Sequence, residues 1–259
     1  MAYTLKASGI ATSLVMCVAV DEDGSTIKEF VSPTVDAAKT LETGVAASIG
    51  TSSWKSVSRS YFQTLANGTY DFYGITFGAT KPAFDSGNTH PFSVYAVCAG
   101  AGTRSGNQDD MIQAGQVSRR ILSISATDHQ LIFNAANVGT TTIPSDGTTK
   151  FSMGGSFVNS GNVKLYYGLE SGSLAQDGTT QTDAGYGGNG QTILSIGGDR
   201  TSGGKTPGKW HLVAMFQAEL SLSDFQALHT DWVGTLFDAG GGGIVGTSAA
   251  FRHIAGIGR

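Results

Sequence analysis

The sequence predicts an all-β chain, a two-sheet antiparallel sandwich with one short C-terminal helix at about 221–232. Three observations predict it. Runs rich in Val, Ile, Tyr, Phe and Thr recur along the chain with Gly, Asn, Asp and Ser between them. No helical pattern separates successive runs, which excludes a parallel βαβ fold. Charged residues are 14% of the chain and 37 of its 259 residues are Gly, against typical shares of about 25% and about 7%. Such a composition suits a turn-rich β protein, and it also suits a subunit partly covered by neighbours.

The elements follow in order. "TSLVMCVAV" and "STIKEFV" flank Asp23-Gly24, a hairpin signal. Residues 33–60 leave two readings open, a short helix or a loop with a buried Trp54. "SYFQTL" and "TYDFYGITF" flank Asn67-Gly68, which predicts a second hairpin. "HPFSVYAVC" is apolar enough for a central strand, and "RRILSIS" with "HQLIFNA" predicts a third hairpin. "TKFSMGGSFV" and "NVKLYYGLESG" follow, the latter placing Val163, Leu165 and Tyr167 on one face. Beyond a Gly-rich polar loop at 177–191 comes "TILSIGGDR". The last long strand, "KWHLVAMFQA", is expected to put Trp210, Leu212, Ala214 and Phe216 on one face.

The helix "AELSLSDFQALHTDW" carries its own start signals. Ser221 is the expected cap and Asp224 the acidic partner of a capping box. Leu220 and Phe225 stand at the positions of a hydrophobic staple, and Leu222, Phe225, Leu228 and Trp232 share a face. A sandwich domain is therefore expected over 1–238. Four glycines, Gly240–Gly243, then open a hinge at 239–259. It leads to an arm of apolar and basic residues, Phe251, Arg252, His253, Ile254 and Arg259, expected to dock on a neighbouring subunit.

Several functions find no support in the residues. The net charge is -4 with no long basic run, which argues against nucleic acid as a partner. No apolar run reaches the ~18 residues of a membrane span. The start does not read as a signal peptide, so folding in a cytoplasm is expected. Cys17 and Cys98 sit in apolar strands and are expected as buried thiols rather than a disulfide. Asp21, Asp23 and Gly24 resemble the start of a calcium loop, but Glu29 misses the twelfth position, and a hairpin turn is the reading adopted. The histidines His90, His129, His211, His229 and His253 form no zinc spacing; His211 is expected to point outward from its strand and His229 to lie beside the helix's apolar face. Gly241, Gly243 and Gly246 spell G-x-G-x-x-G after a helix, where no phosphate loop can follow. No G-x-S-x-G elbow occurs, and Asn67-Gly68-Thr69 reads as a turn before it reads as a glycosylation site. No cofactor is expected. Loop 177–191 does offer Asp183, Tyr186 and Asn189, the aromatic and polar groups of a shallow glycan site.

The last third resembles a known family. "NVKLYYGLESG", "ILSIGGDR" and "GKWHLVAMFQAELSLSDFQALHTDW" are similar to the strands and closing helix of the concanavalin A-like, laminin G-type jelly roll. Tyr166, Gly168, Ile196, Gly197, Gly198, Leu220, Ser221 and Phe225 take that family's positions, and "RRILSISATDHQLIFN" resembles an earlier hairpin of it. The resemblance covers about residues 119–237 and implies two stacked antiparallel sheets. Modules of this kind serve as lectins, adhesion modules, glycosidase domains and virion proteins of tailed bacteriophages. The alternating carboxylate strand of the glycosidases, E-x-D-x-x-E, is missing, so an enzyme is the least expected outcome. Rim calcium sites of laminin G-type modules leave a weak metal site open. The first expectation is a structural, non-enzymatic virion surface protein, capsid-decorating or associated with tail or neck, held by virion neighbours or by copies of itself. The alternative is a carbohydrate-binding adhesion module that recognises a surface glycan.

Overall fold

The computed structural model describes residues 3–31, 40–43, 48–64, 73–76, 91–102, 108–114, 119–125, 130–133, 137–158, 162–182, 193–197 and 208–238. Among these residues the fold is an antiparallel two-sheet sandwich with a single α-helix. In chain order the strands are β1 (Thr4–Leu5), β2 (Leu14–Val20), β3 (Ile27–Glu29), β4 (Thr40–Thr43), β5 (Ser48–Trp54), β6 (Val57–Thr64) and β7 (Tyr73–Thr76). There follow β8 (Phe92–Ala101), β9 (Gln108–Ala114), β10 (Arg119–Ser125), β11 (Gln130–Phe133), β12 (Asn137–Thr142), β13 (Phe151–Val158) and β14 (Asn162–Leu169). Then come β15 (Ala175–Gln176), β16 (Gln181–Thr182), β17 (Ile193–Ile196), β18 (Gly208–Phe216), the helix α1 (Leu222–Leu236) and β19 (Phe237–Asp238).

The larger sheet runs β15-β14-β13-β8-β18-β2-β3, with β16 on β14, β6 on β18 and β5 on β6; the smaller runs β12-β11-β10-β9-β17-β7-β4. β8 lies at the centre, between β13 and β18, and all of its residues are buried. Its unbroken apolar run has a direct cause, since both faces of the strand are covered. Phe92, Val94, Ala96 and Cys98 enter the core between the sheets, while Tyr95 and Val97 enter a second core on the outer face. Ile121, Leu122 and Ile124 of β10 and Ile196 of β17 meet the inter-sheet core from the smaller sheet. Val163 and Leu165 also enter it, with Tyr167 packed against it, as the alternation of β14 predicts.

The outer core exists because α1 lies on the larger sheet. Ser221 caps it with a complete capping box: the Ser221 Oγ accepts from the Asp224 N–H, and the Asp224 carboxylate accepts from the Ser221 N–H. Phe225, Leu228, His229, Trp232 and Leu236 are buried. Leu222 is not; it is 40% exposed, contrary to the helical-face expectation. Leu220, outside the helix, fills the outer core instead, alongside Phe225 as the staple requires. Asp231 breaks the helical conformation at φ −154 and ψ 86, and its Oδ1 accepts from the Gly234 N–H, so it caps the last turn as a fresh N-terminus.

Other expectations need correction. Within 33–60, residues 33–39 and 44–47 lie outside the described residues. Residues 40–43 form β4, and residues 48–60 are neither helix nor loop but part of the hairpin β5–β6, with the expected buried Trp54 at the end of β5. Its two turn residues, Lys55 and Ser56, have φ of 49 and 66, the primed geometry that twists with the strands. Asn67-Gly68 lies outside the described residues, and the strands on either side of it do not pair with each other as the predicted hairpin requires: β6 pairs in the larger sheet and β7 in the smaller. Trp210 does not share a face with Leu212, Ala214 and Phe216. The register against β8 shifts between Trp210 and Leu212, a bulge at His211 that turns Trp210 into the inter-sheet core. Cys17 and Cys98 lie on opposite faces of the larger sheet, in different cores, with β18 between their strands. β1 and β19 pair, Thr4 opposite Asp238, which brings the first and last described strands together. Residues 239–259 lie outside the described residues.

Candidate functional site

The sequence-predicted glycan residues Asp183, Tyr186 and Asn189 lie outside the described residues, as do Phe251, Arg252, His253, Ile254 and Arg259 of the arm. The structure does describe the segment from which the first group departs. After β14 the chain turns back and lays β15 and then β16 along the edge of β14, pairing Ala175 with Tyr167 and Gln181 with Val163. Between these two short pairings stands Asp177, 4% exposed. Its N–H donates to the Leu165 carbonyl at 2.8 Å. One oxygen, Oδ1, accepts from four donors: the Thr140 N–H at 3.0 Å and hydroxyl at 2.9 Å, and the Thr141 N–H at 3.0 Å and hydroxyl at 2.8 Å.

Thr140 and Thr141 belong to β12, the edge of the smaller sheet. Asp177 therefore ties the rim of one sheet to the rim of the other. Gln181 adds a second tie, its Nε2 donating to the Val138 carbonyl at 2.7 Å and its Oε1 accepting from the Val138 N–H at 3.2 Å. The side-chain amide thus pairs with β12 as a backbone peptide would. Hydrogen bonds to a charged acceptor contribute about 1.5–3 kcal/mol each at most, and the four here share one oxygen. The effect is to fix both flanks of Asp177, as far as Thr182 at the end of β16. Gly178, at φ +77, makes the turn between the two ties. The sequence reading takes Asp177 only as the first residue of a polar loop; its partners lie 36 and 37 residues away, and no local pattern points to them.

A second cluster lies on the outer face. The hairpin β5–β6 reaches across it, and Trp54, 2% exposed, sits between two buried imidazoles, with ring centroids 6.4 Å from His211 and 5.4 Å from His229. His211 does point away from the inter-sheet core, as expected, but the hairpin covers it fully. Its Nδ1 donates to the Ser60 carbonyl at 2.8 Å, which leaves Nε2 to accept from the Ser52 hydroxyl at 3.0 Å. His229 lies in the helix's buried face; its Nε2 donates to the Gly172 carbonyl at 3.1 Å and its Nδ1 accepts from the Ser152 hydroxyl at 2.7 Å. Burial pushes the His211 imidazole down to about 4 and lowers that of His229 as well. Each Ser–His contact joins neighbouring elements of the fold, and backbone carbonyls rather than carboxylates orient the rings.

The acidic stretch at 21–25 is a turn. Asp21 accepts from Lys28, its carbonyl accepts from the Gly24 N–H at 2.8 Å, and Asp23 Oδ1 accepts from the Ser25 N–H at 2.8 Å and hydroxyl at 2.7 Å. Among the described residues no helix is long and apolar enough to cross a membrane.

No protein-family model matches the chain, and no curated protein matches it. Solved structures do. The binding domain of botulinum neurotoxin DC, determined in complex with rat synaptotagmin II, superposes with a TM-score of 0.56 at 14% identity, over 85% of this chain and 52% of that one. The binding domain of Paraclostridial Mosquitocidal Protein 1 superposes with a TM-score of 0.57 at 10% identity, over 86% of this chain and 53% of that one. A botulinum neurotoxin type C structure, from a toxin whose cell entry depends upon interaction with two ganglioside molecules, gives 0.53 at 12% identity, over 85% and 51%. The chain thus spans about half the length of the structures it matches, and at these identities the likeness is one of fold.

Proposed function

We propose that this chain is a non-catalytic recognition module that binds a surface glycan through the loop following β16. The observation that carries the reading is the double tie of Asp177 and Gln181 to β12, which anchors the departure point of a Gly-rich loop at the rim where the two sheets meet. Loops on a rigid scaffold are where binding residues concentrate. The loop sequence supplies Asp183 and Asn189 to hydrogen-bond hydroxyls and Tyr186 to stack on a sugar ring. The shared fold with toxin binding domains supports recognition over catalysis. Screening the chain on an array of eukaryotic and bacterial surface glycans tests this. Saturable binding to one glycan class is expected; a blank array contradicts it.

A second reading concerns where such a module works. The Gly-hinged arm at 239–259, with Phe251, Arg252, His253, Ile254 and Arg259, favours a virion surface protein of a tailed bacteriophage, docked on neighbouring subunits. The two readings are compatible. Deleting residues 239–259 is expected to abolish incorporation into particles while leaving the thermal unfolding of the sandwich unchanged. Unaltered incorporation contradicts the docking arm.

A further inference from the structure

We propose that the β5–β6 hairpin is an acid-released strap, closed over the outer face of the larger sheet by the neutral imidazoles of His211 and His229 on either side of Trp54. The proposal is independent of the glycan reading.

The hairpin's attachment is uneven. β6 pairs with β18 only over Phe62–Thr64, opposite Trp210–Gly208. From Gly50 to Tyr61 the two strands pair with each other, and β5 has β6 as its ladder partner among the described residues. What holds that part of the hairpin to the body is a set of side-chain contacts. Trp54 Nε1 donates to the His229 carbonyl at 2.9 Å, and Ser52 and Ser60 hold His211. Lys150 Nζ donates to Ser53 Oγ at 2.6 Å, the Lys55 N–H donates to Glu170 Oε1 at 2.7 Å, and Lys55 Nζ donates to the Gly172 carbonyl at 2.6 Å. Arg59 reaches Asp231 at 3.5 Å and lies over the Trp232 ring, 5.8 Å from its centroid. The geometry is that of a flap hinged at Phe62–Thr64 and latched at Trp54.

The latch is built for uncharged imidazoles. Each ring has one N–H on a backbone carbonyl and accepts a serine hydroxyl at the other nitrogen, so a second proton meets a donor and forces that hydroxyl to turn. Among the described residues the titratable and charged groups around His211 are Lys150 and Glu170 from the ends of β13 and β14 and Arg59 and Tyr61 on β6, the Tyr61 ring centroid 6.1 Å away, with Lys209 two residues before it on β18; Lys55 faces His229. Cations predominate. The two carboxylates nearby are already engaged, Glu170 by Lys150 at 3.2 Å and by the Lys55 N–H, Asp231 by Arg59. Among the described residues a protonated imidazole therefore meets only carboxylates that already hold partners, and lifting the hairpin returns it to water.

The sign follows from linkage. A base whose affinity for protons is lower in the closed form favours closure fully above its ordinary value of about 6.5 and opens progressively as the pH falls below it. With His211 held at about 4 when closed, the ratio of open to closed flap grows about tenfold per pH unit below about pH 6.5, to roughly 300-fold in all.

Amide hydrogen exchange, corrected for the intrinsic pH dependence of exchange, reads this directly. Between about pH 6.5 and about pH 4.5, amides of residues 50–61 are expected to lose protection about tenfold per unit while β8 and β13 keep theirs. His211→Gln is expected to reduce that slope. Flat protection in the hairpin overturns the proposal, and so does a loss shared equally by β8 and β13, which is ordinary acid unfolding. If His211→Gln does not fold, the contrast between hairpin and core in the unmodified chain decides alone.

Discussion

Phe225 of α1 stands directly over Gly154 of β13. A Cβ built on Gly154 would lie 2.6 Å from the ring's Cε1 and 2.6 Å from the Val94 carbonyl oxygen. Gly154 pairs with Tyr95 on one side and Tyr166 on the other, so the glycine is the floor of a slot walled by two tyrosines. The Phe225 ring stacks on Tyr166 at 4.3 Å and tilts against Tyr95 at 5.9 Å. Helix and sheet are keyed at this point.

Gly154→Ala is therefore expected to destabilise the fold by about 1–3 kcal/mol, the cost of forcing an extra carbon into a packed site. The backbone oxygen on one side cannot yield as a side-chain end would. Chemical denaturation of the variant checks the value, and an unchanged midpoint contradicts the keyed contact.

The helix face separates two leucine-like positions that the sequence treats alike. Phe225→Ala is expected to cost about 3–5 kcal/mol, whereas Leu222→Ala, at a position 40% exposed, is expected to stay within about 0.5 kcal/mol. Ser221→Ala removes the cap and is expected to cost about 1 kcal/mol. Thermal unfolding of the three variants in one buffer ranks them.

Asp177→Asn tests the rim tie. The amide keeps one acceptor oxygen but loses the charge that four donors address. A loss of about 1.5–3 kcal/mol is expected, together with faster proteolysis within residues 183–190. Equal proteolysis rates for the two proteins contradict the role given to Asp177.

The turn at Asp21 predicts a pH dependence. Burial acts to raise this carboxyl, but the Lys28 ammonium and the Glu22 N–H outweigh it and hold the group below its ordinary value. A depressed acid contributes stability that is present above the unfolded value and is lost as the pH falls through the folded one. Asp21→Asn is expected to lower stability by about 0.5–1 kcal/mol near neutral pH, because Lys28 is partly solvated. The difference from the unmodified chain is expected to shrink as the pH falls from neutral to well below the ordinary carboxyl value of 3.8. Denaturation midpoints at the two pH values check it.

Local chemistry made part of this fold legible. The capping box joins Ser221 and Asp224 within one helical turn, the Asp23-Gly24 hairpin joins strands adjacent in sequence, and β8 is a single apolar run. Where the deciding contact is distant, the sequence misleads. Lys55-Ser56 adopts a primed turn without the Asn-Gly that announces one, because Trp54 seats the hairpin from the far side of the outer core. Asn67-Gly68 announces a hairpin that the partition of β6 and β7 between two sheets overrides. A bulge at His211 reverses Trp210, and a period-two reading cannot foresee it. The same holds for the Asp177 tie, which became visible only when β12 came to lie beside it; Asp183, Tyr186 and Asn189, read from residue type alone, lie outside the described residues.

The central claim is that the loop after β16 recognises a glycan, and titration of the best array glycan against the unmodified chain, Tyr186→Ala and Leu222→Ala tests it most directly. Saturable binding that falls at least about tenfold for Tyr186→Ala, the loss of one ring contact worth about 1.4 kcal/mol, and stays unchanged for Leu222→Ala is the predicted result. Equal binding by Tyr186→Ala and the unmodified chain would contradict it.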